Sequence, residues 1–190
     1  MKVSSCVKYG SLRYWKEPIR QSIGRIWQPG STVKPFMGLA GLEHNAIEYD
    51  TSVYCRGFFQ LPGNTHRYRD WKKGGHGPMD LDAAIVQSCD VYFYKLAYEL
   101  GIDRLHSYLS QFGFGGRTGI DLTGESTGLL PSREWKRRAR RQPWYPGETL
   151  IVGIGQGYFL TTPLQLAAST AAIANNGIFK HVVGMDDSIK

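Results

Sequence analysis

Residues 32–46 read TVKPFMGLAGLEHNA, and wound at 3.6 residues per turn they place apolar side chains around most of the circumference. A helix of that kind cannot rest on a surface with one wet face. It has to run through the interior, so the remainder of the chain must wrap it. At 190 residues the chain is long enough for one domain with a sizeable core. The start of the helix is also marked. Gln28-Pro29-Gly30 is turn chemistry, Ser31 is a residue type favoured at an N-cap, and Pro35 falls in the first turn, where its missing N–H would be unpaired anyway.

Hydrophobic residues make up 42% of the chain and charged residues 21%, the balance of a globular protein rather than a disordered one. No run of 18 apolar residues occurs, so no transmembrane helix is expected. The first residues, MKVSSCVKYGSLRYWK, lack the apolar stretch of a signal peptide. Work outside the cytoplasm would then require a delivering segment that these residues do not supply. The formal charge of +7 is uneven, with Arg133, Lys136, Arg137, Arg138, Arg140 and Arg141 in one short stretch. Such a stretch is expected to be a solvated face, because no zinc-finger, RNP or helix-turn-helix pattern accompanies it to indicate nucleic-acid binding. Cys6, Cys55 and Cys89 cannot all pair within one chain, so at least one is free, buried or a metal ligand.

Residues 1–27 show no clear period, and residues 50–79 are rich in turn formers and read as long surface loops. Helices are expected from Asp80 toward Gln87, over residues 91–100 ending at Gly101, over 103–112, and from Thr162 and Pro163 toward Gly177. Strands are expected at 118–122, 150–154 and 178–183. Loose alternation of helices and strands gives the class α/β or α+β.

Ser31-Thr32-Val33-Lys34 is S-x-x-K at a helix start, a spacing that places hydroxyl and amine on one helix face about 5–6 Å apart at Cβ. A serine becomes a useful nucleophile only when a neighbouring base takes its proton, and a partly desolvated lysine can be that base. S-x-x-K is also the first signature of penicillin-binding proteins and class A β-lactamases, with S-D-N and K-T-G as the others. Later text fits in order: Ser88-Cys89-Asp90, Thr118-Gly119-Ile120-Asp121-Leu122, Gly128-Leu129-Leu130-Pro131, and Gly153-Ile154-Gly155-Gln156-Gly157.

Gln28 to Phe36 resembles the P-G-S-T-x-K-P context of the class B penicillin-binding proteins. Gln60-Leu61-Pro62-Gly63, Tyr68-Arg69-Asp70-Trp71-Lys72-Lys73 and His76-Gly77 resemble the elongation-type members. The resemblance covers residues 28–179 and implies a serine β-lactamase-like transpeptidase fold, an antiparallel sheet flanked by helices. Residues 28–190 would be a partial transpeptidase domain, incomplete at both ends, and 1–27 an atypical segment. It implies an acyl-serine D,D-transpeptidase that cross-links D-Ala-D-Ala stem peptides in cell elongation and is the target of β-lactams. Ser31 would be the nucleophile, Lys34 its base, Ser88 a proton relay and Asp90 the group that orients Lys34 and the peptide. No cofactor for catalysis is implied. A structural zinc is, held by Cys55, Asp70, His76 and Cys89, with a carboxylate commonly standing where Cys55 does. A membrane glycosyltransferase would be the partner, at the periplasmic face of the inner membrane. Arg117-Thr118-Gly119 looks like the third motif but belongs to the T-G-I-D-L segment; a true K-T/S-G is expected well after Gly157 and is not present. The rival expectations are a catalytically incompetent remnant and a β-lactamase or β-lactam sensor.

Overall fold

The computed structural model describes residues 12–178. Its elements in chain order are α1 (Leu12–Gly24), α2 (Lys34–Glu43), β1 (Val53–Cys55), β2 (Phe58–Phe59), β3 (Tyr68–Arg69), β4 (Gly77–Met79), α3 (Leu81–Val86), α4 (Asp90–Gln111), α5 (Arg133–Arg140), α6 (Pro146–Gly153) and α7 (Pro163–Ala174). A 3-10 turn at Gly30–Val33 leads into α2.

The all-round apolar helix is where its pattern puts it. Phe36, Met37 and Ala40 of α2 are buried against Tyr92, Phe93 and Leu96 of α4 in a single apolar cluster. Asp80 starts α3 by accepting a hydrogen bond from the Ala83 N–H at 2.8 Å. Gly101 has φ 73° and ψ 161°, so the two helices expected at 91–100 and 103–112 run nearly end to end with a break between them. Helix α6 packs on the other side of α4, and it can do so closely because of one missing side chain. A Cβ at Gly153 would stand 2.5 Å from the Ala97 Cβ and 3.0 Å from the Phe93 carbonyl oxygen.

Between α2 and α3 the expected long loops contain two antiparallel ribbons. Strand β1 pairs with β4, setting Cys55 opposite Gly77, and β2 pairs with β3, setting Phe58 opposite Arg69. Other expectations need correction. Residues 150–153 are not a strand but the second half of α6, and Ile154 is its C-cap. A short apolar run buried on all sides carries no period of its own. What decides is the preceding chemistry: Pro146 at the first helical position, and a Glu148 carboxylate that accepts the Tyr145 N–H at 2.9 Å. Residues 118–122 form no ladder either. The Thr118 N–H donates to the Glu125 carboxylate, which takes the place of a strand partner. Residues 12–24, expected to lack a period, are helix α1, with Pro18 inside it. Cys6 and residues 179–183 lie outside the described residues.

Gly153→Ala is therefore expected to overpack the α4–α6 contact and lower unfolding free energy by about 1–3 kcal/mol, read as a drop in urea midpoint at unchanged slope.

Candidate active site

The turn that starts α2 and the turn that joins α3 to α4 meet at one place. Gly30 takes a left-handed conformation, φ 58°, and its N–H donates to the Gly155 carbonyl at 2.8 Å. Gly155 is itself left-handed, and a Cβ there would lie 2.1 Å from the Gly30 oxygen. This contact presents Ser31 to solvent while Lys34, one 3-10 turn later, points inward.

Lys34 is 1% exposed. Its ammonium donates to the Asp90 Oδ1 at 2.7 Å, to the Ser88 Oγ at 2.9 Å and to the Ser88 carbonyl at 2.9 Å. Ser88, a non-glycine residue at φ 53°, bonds in turn to the Ser31 Oγ at 2.8 Å. The four residues expected from sequence thus form one hydrogen-bonded chain. Its order differs from expectation in one respect. Among the described residues Lys34 makes no hydrogen bond to Ser31, and the Ser88 hydroxyl joins them.

Trp71 was not expected to take part. Its backbone N–H donates to the Asp90 Oδ2 at 3.3 Å and its indole N–H to the Ser88 carbonyl at 3.1 Å. The stretch that contains it was visible, but nothing in its spacing tied it to Ser88.

Beneath this chain lie the four residues expected to hold a metal, with all ligand atoms within 4.8 Å of one another. The Asp70 Oδ2 accepts from the Cys55 Sγ and the Cys89 Sγ, each at 3.5 Å. The His76 Nδ1 stands 3.5 Å from the Cys55 Sγ and 3.4 Å from an Asp70 oxygen. Burial raises the Asp70 pKa, but the N–H groups of Lys72 and Val91 and the nearby His76 outweigh it, and the carboxyl sits below its usual range. Burial pushes the Cys89 thiol well up. No lysine or arginine among the described residues pairs with Asp70. The residues fit zinc. The shortest donor separations, 3.4–3.5 Å, fall within the edge of a tetrahedron with arms of 2.0–2.3 Å, roughly 3.3–3.8 Å, the whole set lies within 4.8 Å, and two sulfurs, an imidazole and a carboxylate are zinc ligands.

Two further features separate from this centre. Thr118 of the Arg117-Thr118-Gly119 stretch is buried and bonded to Glu125. In the basic stretch, Arg137, Arg138, Arg140 and Arg141 are exposed as expected, but Lys136 is 1% exposed and ion-paired with Glu148. Sequence offered no signal that set this lysine apart from its neighbours.

Asp90→Ala would leave the Lys34 ammonium buried without its counter-charge, an expected loss of about 3 kcal/mol in unfolding free energy, whereas Asp90→Asn keeps an acceptor and should lose less. Urea unfolding of both variants checks the order.

The Penicillin binding protein transpeptidase domain family matches residues 14–187, a span that begins ahead of the first motif at Gln28. Over 177 residues the chain is 48% identical to the peptidoglycan D,D-transpeptidase MrdA of Acinetobacter baumannii; the match takes in 92% of the chain and 26% of that relative. The chain therefore spans about a quarter of that relative's length. The fold matches the crystal structure of Pseudomonas aeruginosa PBP2 in complex with WCK 5153, with TM-score 0.84 and 47% identity, covering 91% of the chain and 41% of the other. It also matches a chain of a peptidoglycan synthase complex that coordinates polymerization and crosslinking, with TM-score 0.77 and 38% identity, covering 86% and 28%.

Proposed function

From the premise that the chain belongs to the penicillin-binding protein transpeptidase family, we propose that it carries the acylating half of a peptidoglycan D,D-transpeptidase. The observation that supports this most directly is the Ser31–Ser88–Lys34–Asp90 chain of hydrogen bonds.

As an ammonium, Lys34 spends all three donors on Ser88 and Asp90. As a neutral amine it keeps two donors, for the Ser88 carbonyl and Asp90, and offers a lone pair to the Ser88 O–H. The chain then reverses. Ser88 gives its proton to Lys34 and receives that of Ser31, and the freed Ser31 Oγ attacks the carbonyl carbon of a terminal D-Ala-D-Ala bond. The carbonyl oxygen takes the negative charge, and the Ser31 N–H, in the first helical turn where such groups lack intrahelical partners, supplies one donor to it. When the C–N bond breaks, the D-Ala amine takes the proton back through Ser88. A second stem-peptide amine then displaces Ser31 from the ester and completes the cross-link. A β-lactam carbonyl would enter the same sequence and stop at the ester.

We further infer that Cys55, Asp70, His76 and Cys89 hold a structural zinc, which when bound supplies a fixed positive centre and no redox chemistry. Its ligands come from β1, the segment after β3, the segment before β4 and the start of α4. Holding them together keeps Trp71 and Cys89 beside Ser88 and Asp90. The setting is the periplasmic face of an inner membrane, with a membrane glycosyltransferase as partner. Among the described residues no helix is long and apolar enough to cross a membrane.

A fluorescent penicillin should label the chain at Ser31, with no labelling in Ser31→Ala. Lys34→Arg, which keeps the charge but cannot release its proton, should lose it as well. Ser88→Ala should slow labelling by about 10²–10⁴-fold, the usual contribution of a proton-transferring group. Labelling that persists in Ser31→Ala would overturn the assignment. For the metal, about one equivalent of zinc is expected in purified protein, falling in Cys89→Ser, with a lower melting temperature after chelation. Zinc well below one equivalent that is unaffected by Cys89→Ser would sink the idea.

A further inference from the structure

A cavity of about 640 Å³ opens between the β2–β3 turn and the start of α6, lined among others by Asn64, His66, Tyr68, Tyr145, Glu148 and Tyr158. Its volume is that of a small-molecule site. It is tied by hydrogen bonds to the segment that precedes Ser31. Gly157 lines the cavity, and its carbonyl accepts from the Gln28 side chain at 3.0 Å, while Gly155 in the same turn accepts the Gly30 N–H at 2.8 Å. Gln28 and Gly30 lie three residues and one residue before Ser31.

The rings of the cavity are preset rather than loosely arranged. The buried Lys136 ammonium lies 4.4 Å from the Tyr145 ring centre and 6.0 Å from that of Tyr158. It is ion-paired with Glu148, whose other oxygen accepts the Tyr145 N–H. Tyr158 also packs on Trp135, with ring centres 5.0 Å apart. Tyr68 sits against His66 at 4.7 Å and reaches over Gly147, where any Cβ would fall 2.1 Å from its hydroxyl.

Charge narrows the ligand. Glu148 is the one carboxylate of the lining, Lys136 already neutralises it, and no lysine or arginine lines the cavity. The buried Lys136 already lies by the Tyr145 and Tyr158 rings, which lowers their attraction for a second cation. What faces the cavity is ring surface edged by polar groups. Among the described residues, the Tyr68, Tyr145 and Tyr158 hydroxyls have no hydrogen-bond partner, and neither does the Asn64 NH₂, whose amide oxygen accepts the His66 N–H at 2.8 Å. A neutral ligand with apolar faces, hydroxyls and amides matches this surface. The ionised part of a stem peptide does not.

We propose that this cavity is a saccharide subsite that binds N-acetylated sugars of the glycan strand while the attached peptide reaches Ser31. The substrate class rests on the transpeptidase reading above; the chemistry of the cavity does not.

The test uses the 190-residue chain and saturation-transfer NMR, with the β-1,4-linked trisaccharide of N-acetylglucosamine as the neutral probe and a free stem pentapeptide as the charged one. Transfer to the acetamido methyl and ring protons of the trisaccharide is expected, and affinity should fall about tenfold in Tyr145→Ala and in Tyr158→Ala. Tyr145 is half exposed but packs on the buried Lys136, so melting temperature is measured beside binding, and an unchanged value shows that the truncation leaves the fold intact. Arg104→Gln, at a residue that does not line the cavity, should bind like the parent. No transfer to the trisaccharide, or binding that neither tyrosine variant weakens, overturns the proposal. So does a pentapeptide that displaces the sugar from the same rings. Penicillin labelling of the same preparation separates the two readings. Labelled protein without sugar binding removes only the subsite, and sugar binding without labelling removes the transpeptidase reading and leaves a glycan-binding cavity.

Discussion

Burying an ammonium is expensive unless every proton on it finds an acceptor, and Lys34 at 1% exposure is the group on which the rest of the arrangement depends. Its acceptors come from the α3–α4 junction, 54 and 56 residues further along. That junction must therefore dock on the first turn of α2. Ser88 supplies both its hydroxyl and its carbonyl to the same nitrogen, and it does so from a left-handed backbone conformation that few non-glycine residues adopt. Strain of that kind persists where the surroundings over-determine it. Here Trp71 holds the Ser88 carbonyl from outside while Lys34 holds it from inside.

The same pressure explains the position of the cysteine cluster. Cys89 lies between Ser88 and Asp90, so a constraint on Cys89 is a constraint on both neighbours. Asp70 reaches the Val91 N–H as well as both thiols, so the β-ribbon segments and the start of α4 are tied through one carboxylate. The tie thus falls one residue away from Ser88 and from Asp90, and the ribbons, too short to be stable alone, are held by it.

Much of the site was legible because helical spacing and ordered motifs survive in one dimension. Ser31 and Lys34 share a helix start, and Ser88 and Asp90 sit in a recognisable triplet. What was not legible depends on conformation or on distant partners. That Ser88 bridges Ser31 and Lys34 follows from its backbone angles, which no residue type dictates. The stretch 150–154, the end of α6 and its C-cap, reads as a strand until Glu148 is seen closing the preceding turn. Lys136 is one cation among six in its stretch, and only the folded chain shows that Glu148 and three rings take it out of solvent.

Lys34 and Lys136 also illustrate how one residue type serves two ends. Both ammonium groups are 1% exposed and both pair with a carboxylate. Around Lys34 the remaining partners are the Ser88 hydroxyl and carbonyl, with the Phe93 ring centre 5.4 Å away. Around Lys136 they are aromatic faces, which attract a cation but cannot take a proton from it. Lys34 is thus tied to the Ser31–Ser88 pair of hydroxyls, whereas Lys136 shapes a neighbouring wall through Tyr145, Glu148 and Tyr158.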